Sequence, residues 1–85
     1  MTDGTGTHEV DAARLRTDVA EILGLDPAEL TEDEDLFDRG MDSVRLMALL
    51  GRWRAAGVGD LEFADLAEQP ELRHWARLVT STWTR

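Results

Sequence analysis

The sequence predicts an all-α fold: a small four-helix bundle with three longer helices, a short third helix and a long loop between the first and second. Three observations lead there. Apolar residues recur at helical spacing in separate stretches, cap and stop residues stand where those stretches begin and end, and no stretch alternates polar with apolar residues as a strand would. A chain of 85 residues holds one small domain, which buries only about three-fifths of its unfolded surface.

Met1 to His8, where Thr and Gly alternate, offers nothing apolar to bury and reads as a flexible leader, 1–8, ahead of a domain over 9–85. His8 reads there as a solvated histidine. From Glu9 to Leu23, Ala12, Leu15, Val19, Ile22 and Leu23 share one helical face, while Arg14, Arg16, Asp18 and Glu21 fall elsewhere. Gly24 stops that helix. Asp26 and Pro27 pair a cap with a first helical position, so 26–30 reads as a single helical turn anchored by Leu25 and Leu30.

The stretch 31–38 is dense in carboxylates and invites a calcium-loop reading. With Asp33 first and Asp35 third, the fifth position is Phe37 and the sixth is Asp38 in place of the required Gly, so that reading fails. The segment reads instead as a solvated loop that Leu36 and Phe37 pin to the core. Its acids can also steer basic partners, an effect that salt weakens.

The most strongly patterned helix runs from Ser43 to about Ala56 and ends at Gly57, with Gly59 giving a second release of the backbone. Leu46, Leu49, Leu50 and Trp53 recur at i, i+3, i+4 and i+7 as its buried stripe. Val44, Met47 and Ala48 point to another sector and are apolar too, which leaves part of that set for solvent or a partner. Between Ser43 and Val58 the ionisable residues are Arg45, Arg52 and Arg54, with no carboxylate; Arg54 reads as a solvated charge. A short helix over 60–67 gathers Leu61, Phe63, Ala64, Leu66 and Ala67, with Leu66 in the core and Phe63 open to a core or a contact role. Pro70 opens the last helix as its first residue, and Leu72, Trp75, Ala76, Val79 and Trp83 carry its apolar stripe to about Thr82. His74 lies off that stripe, at the surface.

Nine arginines face eighteen Asp and Glu for a net charge of −9, and Lys, Asn, Tyr and Cys do not occur. So acidic a surface is a poor match for nucleic acid. Without cysteine the chain has no disulfide, thiolate metal site or cysteine nucleophile, and His8 and His74 stand in dissimilar settings, so no metal site is expected. No apolar run approaches the roughly twenty residues of a membrane span, and no signal peptide opens the chain, so no membrane partner and a cytoplasmic location are expected. The Gly-x-Ser-x-Gly elbow of hydrolases is missing around Ser43, and no triad is supported; the chain is not expected to be an enzyme.

At Asp42-Ser43 the acidic loop meets the second helix. Ser43 reads as its N-cap, with Gly40 allowing the sharp turn before it. A hydroxyl at a helix N-terminus beside a small apolar patch also suits a phosphate diester, because free N–H groups and the positive end of the dipole favour an anion. Taken alone, the Asp-Ser pair supports nothing beyond a cap.

The longer context does more. Gly-Met-Asp-Ser-Val at 40–44, preceded by Leu36-Phe37-Asp38 and followed by Leu46 and Met47, resembles the attachment motif of the acyl and peptidyl carrier protein family. The run Asp-Ser-Val-Arg-Leu-Met-Ala-Leu from Asp42, then Arg52-Trp53-Arg54, is most similar to the aryl carrier proteins of nonribosomal peptide assembly, and the resemblance spans roughly Asp11 to Trp83. It implies that a phosphopantetheinyl transferase, using coenzyme A and magnesium, attaches 4′-phosphopantetheine to Ser43, with Asp42 assisting the modification. It further implies that the arm's thiol receives an acyl group, aryl or aminoacyl, as a thioester from an adenylating ligase, and that the protein delivers it to a condensation or other downstream synthase domain. In that family the short third helix sits beside the serine, and the expected partner-binding residues are Val44, Arg45, Met47, Ala48, Phe63 and Ala67.

Fatty acid carriers present an acidic second helix, and this one carries only arginines. That departure favours the nonribosomal peptide side over a polyketide or fatty acid carrier, which is the alternative reading; an unmodified acidic helical adaptor, with Ser43 only a cap, is another. With a short leader after Met1 and an end soon after the last helix, the chain is expected to be a free-standing, monomeric carrier that meets its partners in trans.

Overall fold

The computed structural model describes residues 10–58 and 61–83, the last four by backbone alone. The expectations placed on Met1 to Glu9, on Gly59 and Asp60, and on the Trp83 side chain lie outside the described residues. Helix α1 (Ala12–Leu23) starts where Asp11 Oδ1 accepts from the Arg14 N–H at 2.8 Å, which closes the first turn. It ends at Gly24, whose φ of 73° turns its N–H back onto the carbonyls of Ala20 and Glu21. Leu15 and Val19 are buried and Ile22 and Leu23 pack against the core, whereas Ala12, expected on the core face, is exposed on the first turn.

The long connection to the next helix is a chain of capped turns. Pro27–Glu29 is one 3₁₀ turn closed by a capping box, in which Asp26 Oδ1 accepts from the Ala28 N–H and Glu29 Oε2 from the Asp26 N–H. Leu36–Arg39 is a second, with Asp35 Oδ1 accepting from the Phe37 N–H at 2.9 Å and Gly40 ending it at φ 106°. Glu34 accepts from the Thr31 N–H between them. Of the carboxylates in 31–38 that read as merely solvated, Glu34 and Asp35 are therefore turn closures.

Two arginines fasten this connection. The Arg16 guanidinium donates to the carbonyls of Pro27 and Leu30, and Arg39 donates to the carbonyl of Glu29. The Leu36 N–H donates to the Pro70 carbonyl and the Arg73 N–H to the Glu32 carbonyl, each at 2.9 Å. Pro70 thus serves the loop and does not open a helix. Helix α4 (Leu72–Trp83) begins two residues later, where the Trp75 N–H reaches the Glu71 carbonyl.

Helices α2 (Ser43–Ala55) and α3 (Phe63–Glu68) complete the bundle. The latter starts later than expected because Asp65 Oδ2 accepts from the Glu62 N–H at 2.9 Å and fixes the first turn there. Leu46, Leu49, Leu50 and Trp53 are buried together with Leu36, Leu66 and Trp75. The indoles of Trp53 and Trp75 meet edge to face with centroids 6.0 Å apart. Both can be buried because both N–H groups are satisfied: Trp53 Nε1 donates to Asp18 Oδ2 at 2.9 Å, and Trp75 Nε1 to the Leu66 carbonyl at 3.0 Å. Asp18 is only 6% exposed, although helical spacing set it apart from the apolar face.

Candidate functional site

The geometry at the start of α2 follows from what precedes it. The Met41 N–H is bonded to the Leu36 carbonyl, and the Met41 side chain is buried, so the chain folds back over the second 3₁₀ turn before the helix begins. Asp42 then takes an extended backbone, and its Oδ1 accepts from the Arg45 N–H at 2.8 Å. Asp42, and not Ser43, is the N-cap. Ser43 already belongs to the helix as its first residue, so its hydroxyl is not drawn into closing the turn. It is exposed and makes no hydrogen bond among the described residues. The N–H groups of Ser43 and Val44 open the same helix end, where the dipole is positive.

The second apolar sector of α2 faces outward as expected. Val44 is 79% and Met47 55% exposed, and Ala48 is exposed beside them. Phe63 and Ala67 lie on α3, which packs on α2; both are half-buried against the core, so Phe63 is neither wholly in the core nor wholly at the surface. Phe37 departs from its expected place: it is 44% exposed, while its neighbour Leu36 supplies the anchor.

The arginines of α2 turn inward on the molecule. Arg45, expected to bind partners, has its guanidinium 2.7 Å from Asp42 Oδ2. Arg52 reaches Glu21 at 2.8 Å and Asp18 at 3.3 Å, and the Glu21 hydrogen bond, with the Asp18 charge behind it, raises its pKa. Arg54, read as a solvated charge, instead donates twice to the Leu61 carbonyl, from Nε at 3.0 Å and from a terminal nitrogen at 2.8 Å. His74, placed at the surface, is half-buried.

Sequence reasoning passed over Asp18 and the outward Phe37. A signal for Asp18 was available: Trp53 sits in a buried stripe and its indole N–H needs an acceptor, which a carboxylate between Leu15 and Val19 can supply. Among the described residues no helix is long and apolar enough to cross a membrane, and no three His, Cys, Asp or Glu side chains gather as metal ligands.

Residues 13–79 match the profile of a family described as the phosphopantetheine attachment site. The chain belongs to that family. The matched region of this phosphopantetheine attachment site domain runs from the first turn of α1 to Val79 in α4, and so takes in every described core residue but Val10. An isochorismatase of Bacillus subtilis (strain 168) is 43% identical over 67 residues, 79% of this chain and 21% of its own. The phenyloxazoline synthase MbtB of Mycolicibacterium paratuberculosis (strain ATCC BAA-968 / K-10) is 45% identical over 67 residues, 79% of this chain and 6% of its own. Enterobactin synthase component B of Escherichia coli (strain K12) is 40% identical over 68 residues, 80% of this chain and 23% of its own. The chain therefore spans less than a quarter of the length of these relatives. No solved structure matches it.

Proposed function

We propose that Ser43 takes the 4′-phosphopantetheine arm, and that the protein is a carrier holding an acyl group, aryl or aminoacyl, between an adenylating ligase and downstream enzymes of natural-product biosynthesis. The observation that carries this reading is the split of roles at the start of α2. Asp42 closes the turn, which leaves the adjacent Ser43 Oγ exposed and unengaged. The open N–H groups and the positive helix end beside it fit a phosphodiester anion, and Arg45 offsets the Asp42 charge nearby.

In the modification, Ser43 Oγ forms a bond to the phosphorus of coenzyme A that bears the pantetheine. The bond from that phosphorus to the adenosine bisphosphate breaks, and the hydroxyl proton passes to a base of the phosphopantetheinyl transferase. Asp42 assists by holding the first turn still. Its carboxylate is committed to the cap and to Arg45, which supports treating this chain as the substrate and not the catalyst. When bound, the arm supplies a thiol that holds the acyl group as a thioester. Tethering then keeps that group at high local concentration at each enzyme in turn, so the docking itself can be weak. Val44, Met47, Ala48, Phe63 and Ala67 form the small apolar contact that such exchange needs. The use of coenzyme A sets this chemistry in the cytoplasm.

An aryl cargo draws support from the 45% identity to a protein whose name, phenyloxazoline synthase, speaks of a phenyl-bearing product. Intact mass after incubation with coenzyme A, magnesium and a broad-specificity transferase tests the carrier reading. One phosphopantetheine is gained by the wild type and none by Ser43→Ala. No gain in the wild type overturns it. Loading of the modified protein with aryl against aliphatic acids by purified ligases then separates the aryl reading from a polyketide or fatty acid role.

A further inference from the structure

Helix α3 has six residues, too few to hold a helix by themselves, because so short a run never recovers the cost of its first turn. Its position has to come from its neighbours. Toward its C-terminal end the support is buried: Leu66 is in the core, and its carbonyl accepts from Trp75 Nε1 at 3.0 Å. At the other end the support is a single surface side chain. The Leu61 carbonyl, two residues before the helix, accepts from Arg54 Nε at 3.0 Å and from a terminal nitrogen of the same guanidinium at 2.8 Å. No backbone N–H among the described residues donates to that carbonyl.

The clamp carries Phe63 with it. The Glu62 N–H is held by Asp65 Oδ2 at 2.9 Å and the Asp65 N–H by the Glu62 carbonyl at 3.1 Å, so the turn that joins Leu61 to Phe63 is stiff. Phe63, the first residue of α3, is half-buried, and a small shift at Leu61 changes how much of its ring is offered outward. The charge of Arg54 is directed inward as well, with Glu62 Oε1 3.5 Å from its guanidinium. Arg54 stands in the last turn of α2, about 16 Å along the axis from Ser43, too far to act on the attachment oxygen.

We propose that Arg54 is a positioning residue for the docking face: by clamping the Leu61 carbonyl it fixes where Phe63 meets the ligase that loads the arm. This rests on the carrier reading above, in which Phe63 is a contact residue. Arg54 itself touches neither cargo nor ligase and acts through Phe63. A lysine cannot replace it fully, because a point donor gives one carbonyl oxygen one hydrogen bond where the planar fork gives two.

The test is the steady-state kinetics of loading, with the pantetheine-bearing protein confirmed by intact mass and with a purified adenylating ligase and aryl acid that load the wild type. Arg54→Ala raises KM by about fivefold or more and leaves kcat within about twofold, and Arg54→Lys falls between it and the wild type. Phe63→Ala raises KM at least as much, and adding Arg54→Ala to it changes KM by less than about twofold, because one residue works through the other. The Arg54→Ala effect is the same at low and high ionic strength, since no charge contact with the ligase is lost. Hydrogen exchange quickens at the Asp65 amide and stays unchanged at Val19 in α1, which shows that the loosening is local. Independent, multiplying effects of the two substitutions overturn the proposal, as does an Arg54→Ala KM within about twofold of wild type or an effect that fades with salt; each leaves the carrier reading standing. A wild type that takes no phosphopantetheine overturns the carrier reading itself.

Discussion

Asp18 and Trp53 form a buried polar link between two helices: Trp53 Nε1 donates to Asp18 Oδ2 at 2.9 Å, joining α2 to α1 inside the bundle. Arg14 Nε at 3.1 Å and Arg52 at 3.3 Å donate to the same carboxylate, so the buried charge has three donors around it. Such a site is stable only while it is complete, because each group left alone keeps the cost of its own desolvation.

Asp18→Ala therefore destabilises the protein by about 2–3 kcal/mol, since it orphans the buried Trp53 N–H and removes the carboxylate that Arg14 and Arg52 share. Asp18→Asn, which keeps an acceptor for the indole, loses roughly half as much. Urea unfolding at neutral pH measures both, with an unchanged slope showing that the unfolding surface is the same.

Asp42 and Ser43 separate stability from modification. Asp42→Ala lowers stability by about 1 kcal/mol through loss of the cap, and speeds hydrogen exchange at the Arg45 amide. Its surface pair with Arg45 adds little, because exposed ion pairs contribute at most about 1 kcal/mol. Ser43→Ala changes stability by no more than about 0.5 kcal/mol, since no cap is lost and Ala is the better helix former. If Ser43→Ala loses 1 kcal/mol or more in the same unfolding experiment, Ser43 is closing the turn after all.

Gly40 and Gly51 respond in opposite directions to the same change. At Gly40 an added Cβ meets only Leu23 Cδ2, at 3.9 Å, but the backbone sits at φ 106°, so Ala costs about 1–3 kcal/mol in strain. At Gly51, inside α2, nothing lies within 4 Å of the new Cβ, and Ala stabilises by about 0.5–1 kcal/mol. Thermal midpoints of the two variants, moving down and up respectively, check the pair.

Arg52 gives a pH prediction whose sign is fixed by its raised pKa. A cation bound more tightly in the folded state contributes stability at every pH below its unfolded value, far into the alkaline range, and loses it only as pH rises past the folded value. The stability difference between wild type and Arg52→Gln is therefore constant between about pH 7 and pH 10. A difference that shrinks across that range, in unfolding curves taken at several pH values, assigns the pairing to some other group.

The amino-acid sequence on its own determined the number and order of the helices, the buried stripe of α2 and the outward set Val44, Met47 and Ala48. These are matters of spacing along one element, which helical periodicity makes local. Helix starts were less legible. Asp42 and Ser43 are both competent caps, and only the backbone conformation at 41–43 assigned the role to Asp42 and freed the Ser43 hydroxyl. Pro70 likewise resembles a helix start until its carbonyl is found serving Leu36, a partner 34 positions earlier. Tertiary structure alone decided that Asp18 is buried, that Arg54 belongs to the Leu61 carbonyl and that Phe37 points outward. Each depends on a group far along the chain or on a neighbour taking the core position first, and a buried donor selects its acceptor by where the packed helices place it, not by distance in sequence.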